Sequence, residues 1–122
     1  MKNWKDLRLF AEAEGFYVTA AMNGKHNVGS KHALGLAIDV RTRGKENAEI
    51  ALFIRKCNAL GVRVRDERIK PERQRVWSGA HLHLDIGANT LEAVRKFQRE
   101  NNLTADGIVG AKTIAALNSK IS

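Results

Sequence analysis

Two short stretches hold the residue types that bind a divalent metal and activate water. Ser30-Lys-His32-Ala-Leu-Gly35-Leu-Ala37-Ile-Asp39 supplies an imidazole and a carboxylate, and His81-Leu-His83-Leu-Asp85 supplies two imidazoles and a second carboxylate. Zinc takes imidazole nitrogen and carboxylate oxygen, and a hydrolytic site keeps three protein ligands and leaves a fourth position to water. His32, Asp39 and His83 supply such a set. Residues two apart on a strand share a face, so His81, His83 and Asp85 point one way while Leu82, Leu84 and Ile86 point toward a core. One imidazole can then ligate while the other stands over the bound water, and Asp85 can orient a ligating ring. Asp39 shares its face with Gly35 and Ala37, whose small side chains leave room for a metal and a substrate. The plain alternative is a His- and Asp-bearing strand that merely faces solvent. Against it, three of the four histidines fall in these two stretches. The fourth, His26, lies in the loop before the first stretch and reads as a rim or surface residue.

These residues need a sheet and helices to hold them. Trp4, Leu7, Phe10 and Ala11 recur at helical spacing and Gly15 ends the pattern. Phe16 to Met22 reads as a strand, residues 23–29 as a loop, and Gly35 to Val40 as an alternating strand. Glu46 to Leu60 is the clearest helix, closed by Gly61. Val62 to Arg65 alternates as a strand, and Asp66 to Gln74, charged and holding the chain's one proline, reads as an exposed loop. Arg75 to Ile86 returns as a strand bent near Gly79. Beyond Gly87, Asn89 and Glu92 form a capping pair for a helix through Leu91, Val94 and Phe97. A turn at Ala105 to Gly107 and a helix from Ala111 to Leu117 follow, and no repeat is evident. The fold class expected is α+β: a small antiparallel sheet with packed helices and a short helical C-terminal segment. The division expected is 1–87 and 88–122, with the second part too short to hold a core alone.

A net charge of +8, from 21 Lys and Arg against 13 Asp and Glu over 122 residues, favours polyanionic partners. The basic residues are spread along the chain with no aromatic stacking platform among them, which argues against a dedicated nucleic-acid binder. One cysteine, Cys57, excludes an internal disulfide and reads as a small buried hydrophobe. No apolar run suggests a signal peptide or a membrane span.

The Ser30–Asp39 stretch resembles the S-x-H-x-x-G-x-A-x-D signature of the zinc D-Ala-D-Ala carboxypeptidases and dipeptidases and the phage L-alanyl-D-glutamate endopeptidases. His83-Leu-Asp85 resembles their later H-x-D element. The resemblance spans about residues 1–87 and implies Zn2+ as cofactor, His32, Asp39 and His83 as ligands, and a hedgehog/D-Ala-D-Ala-peptidase-like sheet. Ser30 and Asp85 would then flank the ligands. Two departures stand out. Family members often carry an acid three positions before the last ligand, where this chain has Ala80; the related lysostaphin-type H-x-H pattern makes His81 the residue for proton transfer or oxyanion stabilisation. Members also often carry a carboxylate-holding arginine after the first strand, where this chain offers only Lys25 and His26, with Arg63 or Arg65 as substitutes.

The C-terminal part is similar to the second half of the helical peptidoglycan-binding domain, through Ala93-Val-x-x-Phe-Gln98 and Asp106-Gly-x-x-Gly110-x-x-Thr113. Both resemblances imply one partner, bacterial peptidoglycan, and the expectation is a zinc peptidase acting on its stem peptides or cross-links. A phage-lysin-like life follows: synthesis in the cytoplasm and action on the wall after release. The alternative is a zinc-containing domain that has lost turnover, like hedgehog-type relatives, and only binds wall or a partner. An iron oxygenase triad is disfavoured because no histidine follows His83.

Overall fold

The computed structural model describes residues 1, 3–20, 36–68, 80–87 and 89–121. The chain runs α1 (Trp4–Ala13), β1 (Val18–Ala20), β2 (Ala37–Arg41), α2 (Asn47–Ala59), β3 (Val62–Glu67), β4 (His81–Ile86), α3 (Thr90–Glu100) and α4 (Ala111–Lys120). The four strands form one antiparallel sheet in the order β1-β2-β4-β3. This is the α+β architecture expected, with helices packed on one face of a small sheet.

Three of the helix boundaries have a clear local cause. Asn3 caps α1 by accepting the Lys5 and Asp6 amides on its side-chain oxygen. Gly61 follows α2 at φ +70, and a Cβ there would lie 2.7 Å from Ala93 Cβ. Only glycine allows both this left-handed turn and the close approach of α3. The start of α3 differs from the expected capping pair. Asn89 sits in helical backbone and makes no side-chain capping bond. Thr90 does the work one residue later: its hydroxyl accepts the Gly87 amide at 2.8 Å and donates to the Gly61 carbonyl at 2.7 Å. The helix start is thereby fastened to the α2–β3 turn.

Alternation along the strands separates two faces. Ile38, Val40, Leu82, Leu84, Ile86 and Val62 enter the core with Leu7, Phe10 and Ala11 of α1 and Ile50, Phe53 and Cys57 of α2. Phe53 is stacked between Phe16 (centroids 4.2 Å apart) and Phe10 (5.6 Å), and truncating it to Ala would cost about 3–5 kcal/mol. Burial raises the Cys57 thiol far above its ordinary range, with Glu14 adding to the effect. That fits the inert buried role expected of it.

The C-terminal helices, too short to hold a core alone, dock on the first part. Val94 of α3 and Leu117 of α4 are fully buried in the same cluster as the sheet and α1 and α2. Lys56, buried in α2, donates to Glu14 at 2.8 Å and to Asn118 of α4 at 2.5 Å. The Met1 ammonium donates to the Gly107 carbonyl.

Candidate functional site

The face of the sheet opposite the core carries a row of chemistry-bearing side chains. The register sets Ala37, Asp39 and Arg41 of β2 opposite Asp85, His83 and His81 of β4, which in turn oppose Arg63, Arg65 and Glu67 of β3. Antiparallel partners lie about 4.5–5.5 Å apart at Cβ, so three strands deliver one polar patch from residues distant in sequence. Of the expected site residues, Asp39, His81, His83 and Asp85 come together here. His32, Ser30, Lys25 and His26 lie outside the described residues.

His83 is the hub. Its Nδ1 lies 3.0 Å from Asp39 Oδ1 and its Nε2 lies 3.4 Å from Asp85 Oδ2. Asp85 is held in turn by Arg63, whose Nε donates to Oδ1 at 2.6 Å. His81 and His83 are buried on this face, each 8 % exposed. His81 Nε2 lies 3.0 Å from Glu67 Oε2, and Arg65 Nε donates to the other Glu67 oxygen.

Glu67 corrects the reading of residues 66–74 as an exposed loop. Strand β3 continues through Asp66 and Glu67, and Glu67 is only 7 % exposed. The apolar alternation stops after Val64, so nothing hydrophobic marks these last two strand residues. The signal was the other face: Arg63, Arg65 and Glu67 keep the period of two. Glu67 thus sets an acid beside His81 although position 80 is alanine.

The pair Asp39 and His83 fits a zinc site in its donor chemistry. Zn–N and Zn–O bonds of about 2.0–2.2 Å in a tetrahedron place donor atoms about 3.3–3.5 Å apart. The observed 3.0 Å would open by a few tenths of an ångström. A metal on Nδ1 requires the ring proton on Nε2, where Asp85 stands to accept it. Among the described residues no group of three His, Cys, Asp or Glu is arranged to hold a metal, and the third expected ligand, His32, is not one of them.

The C-terminal segment is organised around Gln98. Its buried amide nitrogen donates to Asp106 Oδ1, the Ile108 carbonyl and Thr113 Oγ1, and its oxygen accepts the Gly107 amide. The Asp106 carboxyl is held below its ordinary range, first by the Ile108 amide and then, against a small burial effect, by Gln98. Gln98, Asn102, Thr104, Asp106, Lys112 and Thr113 help line a groove of about 430 Å³. A repeat emerges with this geometry that the sequence reading did not find. Gly87-Ala-Asn-Thr90-Leu-Glu-Ala-Val94 and Gly110-Ala-Lys-Thr113-Ile-Ala-Ala-Leu117 share a Gly-x-x-Thr-x-x-Ala-aliphatic pattern, and in both the threonine and the aliphatic residue are buried.

A chain with a polar, histidine-bearing sheet face and a Gln-pinned helical pair falls in the class of small α+β proteins with an appended helical element. The family model of the putative peptidoglycan binding domain matches residues 84–117, which ties this element to association with the bacterial cell wall. The match starts inside β4, three residues before the expected division at 87, and takes in both Gly-x-x-Thr elements. No curated protein and no solved structure matches the chain. No helix among the described residues is long and apolar enough to cross a membrane.

Proposed function

We propose that this protein is a zinc-dependent peptidase that hydrolyses peptide bonds of bacterial peptidoglycan. The observation that carries the reading is the Asp39–His83 pair, 3.0 Å apart across β2 and β4 on a face that also holds His81, Glu67 and Asp85. The resemblance of residues 30–39 to the zinc-peptidase signature supports it, with His32 as third ligand. The wall-domain match at residues 84–117 supports peptidoglycan as the partner on which it would act.

Zinc, when bound, supplies Lewis acidity and a water acidic enough to attack near neutral pH. The chain's own residues do the rest. Asp85 orients His83, and Arg63 holds Asp85 in place. Glu67, 3.0 Å from His81 Nε2, orients the imidazole, and His81 would carry a proton to the leaving amine. Arg65 fixes Glu67 from the far side. The buried setting of both histidines strengthens each of these interactions. Action on the wall after release from the cell, in the manner of a phage lysin, accords with this reading.

The test is digestion of purified peptidoglycan with zinc-loaded protein, followed by amino-terminus labelling and mass spectrometry of released fragments. New amino termini, lost on chelation and restored by zinc, are expected; their absence across walls of several chemotypes would overturn the reading. Ala80 favours a second reading, a zinc-containing wall-binding domain without turnover. His81→Ala separates the two: loss of cleavage with zinc retained marks the peptidase, whereas a wild type that binds zinc and wall but cuts nothing marks the binder.

A further inference from the structure

Tyr17 presents a large apolar surface to solvent outside the core. It is 64 % exposed, beside the aliphatic Leu9 and Ile108 as the other large exposed hydrophobic side chains among the described residues. The ring is nevertheless held. The Arg41 guanidinium lies 5.0 Å from its centroid, and the Arg41 amide donates to the Tyr17 carbonyl at 2.9 Å. Tyr17 borders a groove of about 410 Å³ lined with Arg8, Glu12, Gly15, Phe16 and Val18, a volume within the range of small-ligand sites. Across it, Arg8 Nε and Glu12 Oε1 are paired at 2.7 Å. That pairing leaves the Arg8 Nη groups as donors and the second Glu12 oxygen as an acceptor. Arg41, which lies over the Tyr17 ring, opposes His81 in the sheet register.

We propose that this groove is a saccharide subsite that takes an N-acetylated sugar ring of the wall glycan. A pyranose has an apolar C–H face, which stacks on an aromatic ring, and a rim of hydroxyls, which pair with the adjacent donor and acceptor of a guanidinium–carboxylate couple. Tyr17 supplies the first partner, and Arg8 with Glu12 supplies the second. Phe16, buried against Phe53, and Gly15, at φ +87, set the floor and the turn that place them. This inference relies on wall association alone, not on zinc or peptide cleavage.

The test is titration of the full chain, without added metal, with chitotetraose, a soluble N-acetylglucosamine oligomer, followed by amide chemical shifts. Saturable shifts confined to residues 15–18, Arg8, Glu12 and Arg41 are expected. Tyr17→Ala should weaken binding about tenfold, as loss of a stacking contact does. Tyr17→Phe should keep it, and Arg8→Ala should weaken it with the ring intact. These side chains are solvent-facing, so circular dichroism should match the wild type. No saturable shift, shifts centred instead on the Gln98–Thr113 groove, or undiminished binding by Tyr17→Ala would overturn the proposal. Single-stranded oligonucleotide shifting Tyr17 where the sugar does not would do so too. Because no cleavage is read, failure here is distinct from failure of the peptidase reading.

Discussion

Replacing Lys56 with methionine tests whether the C-terminal helices are part of one body with the sheet. The side chains of Lys56 and Glu14 are 6 % and 11 % exposed, and Lys56 bridges Glu14 beyond α1 to Asn118 in α4. The second Glu14 oxygen, Oε1, has no hydrogen-bond partner among the described residues, so the carboxylate depends on this lysine. Methionine keeps most of the aliphatic stem and removes the ammonium, with its charge and its hydrogen bonds to Glu14 and Asn118. A buried ion left without its partner costs about 3–5 kcal/mol. For a domain of this size that lowers Tm by about 10–25 °C and removes a large share of a typical total stability of about 5–15 kcal/mol. The assay is urea unfolding followed by tryptophan fluorescence, for Lys56→Met, Glu14→Gln and the double variant. The double variant should recover most of the loss, since neutralising both partners leaves no isolated charge. A Lys56→Met protein within about 1 kcal/mol of wild type would refute the reasoning, because even one lost net hydrogen bond approaches that value.

Further outcomes follow from the site and its frame. Asp85→Ala should weaken zinc binding about 10–100-fold in a chelator competition, as removal of a ligand's hydrogen-bond partner does; unchanged affinity would remove Asp85 from that role. Glu67→Ala should lower kcat on wall peptides about 100-fold with zinc affinity kept, and Glu67→Gln, which can still accept from His81, should restore part of it. Gly61→Ala should destabilise by about 1–3 kcal/mol, since it forces a side chain into left-handed backbone and against Ala93. Asp106 gives a pH dependence of defined sign. Its folded-state value lies below the ordinary 3.8, so its contribution is present above 3.8 and is lost as pH falls through the lower folded value. The Ile108 amide shift should titrate with a midpoint below 3.8, and Asp106→Asn should abolish that transition.

The sheet face was legible because its two periodicities coincide with chemistry. In His81 to Ile86 every second residue is aliphatic, so the strand, its core side and the shared face of two histidines and an aspartate could be read together. The clearest helix was also readable from its apolar spacing and its closing glycine; α2 spans Asn47–Ala59 with Gly61 after it. Glu67 was marked only by the period of two it shares with Arg63 and Arg65, because the apolar face of its strand ends at Val64 and its partner His81 stands on a neighbouring strand. Asn89, with Glu92 three residues on, fits the capping pattern in sequence, whereas the structure uses Thr90. The choice between them depends on the Gly61 carbonyl, which no local pattern reveals. The length of α3 and α4 demanded a partner, in this chain or another; that they dock here through a lysine shared by three parts of the chain is written in no local pattern.

Strand β4 ends at Ile86 and helix α3 begins at Thr90, so only residues 87–89 separate the histidine row from the wall-matching helices. Many two-part proteins join such functions by a loose tether, which lets one part roam while the other holds on. Here the join has no slack, and Thr90 bolts it to Gly61. A wall strand gripped by the helices would meet the histidine row at one fixed offset and orientation. As the proposed peptidase, the molecule would behave as a ruler: where it gripped would set which bond it could reach, and inserting a flexible linker at residues 87–89 would widen that choice at the expense of the shared core.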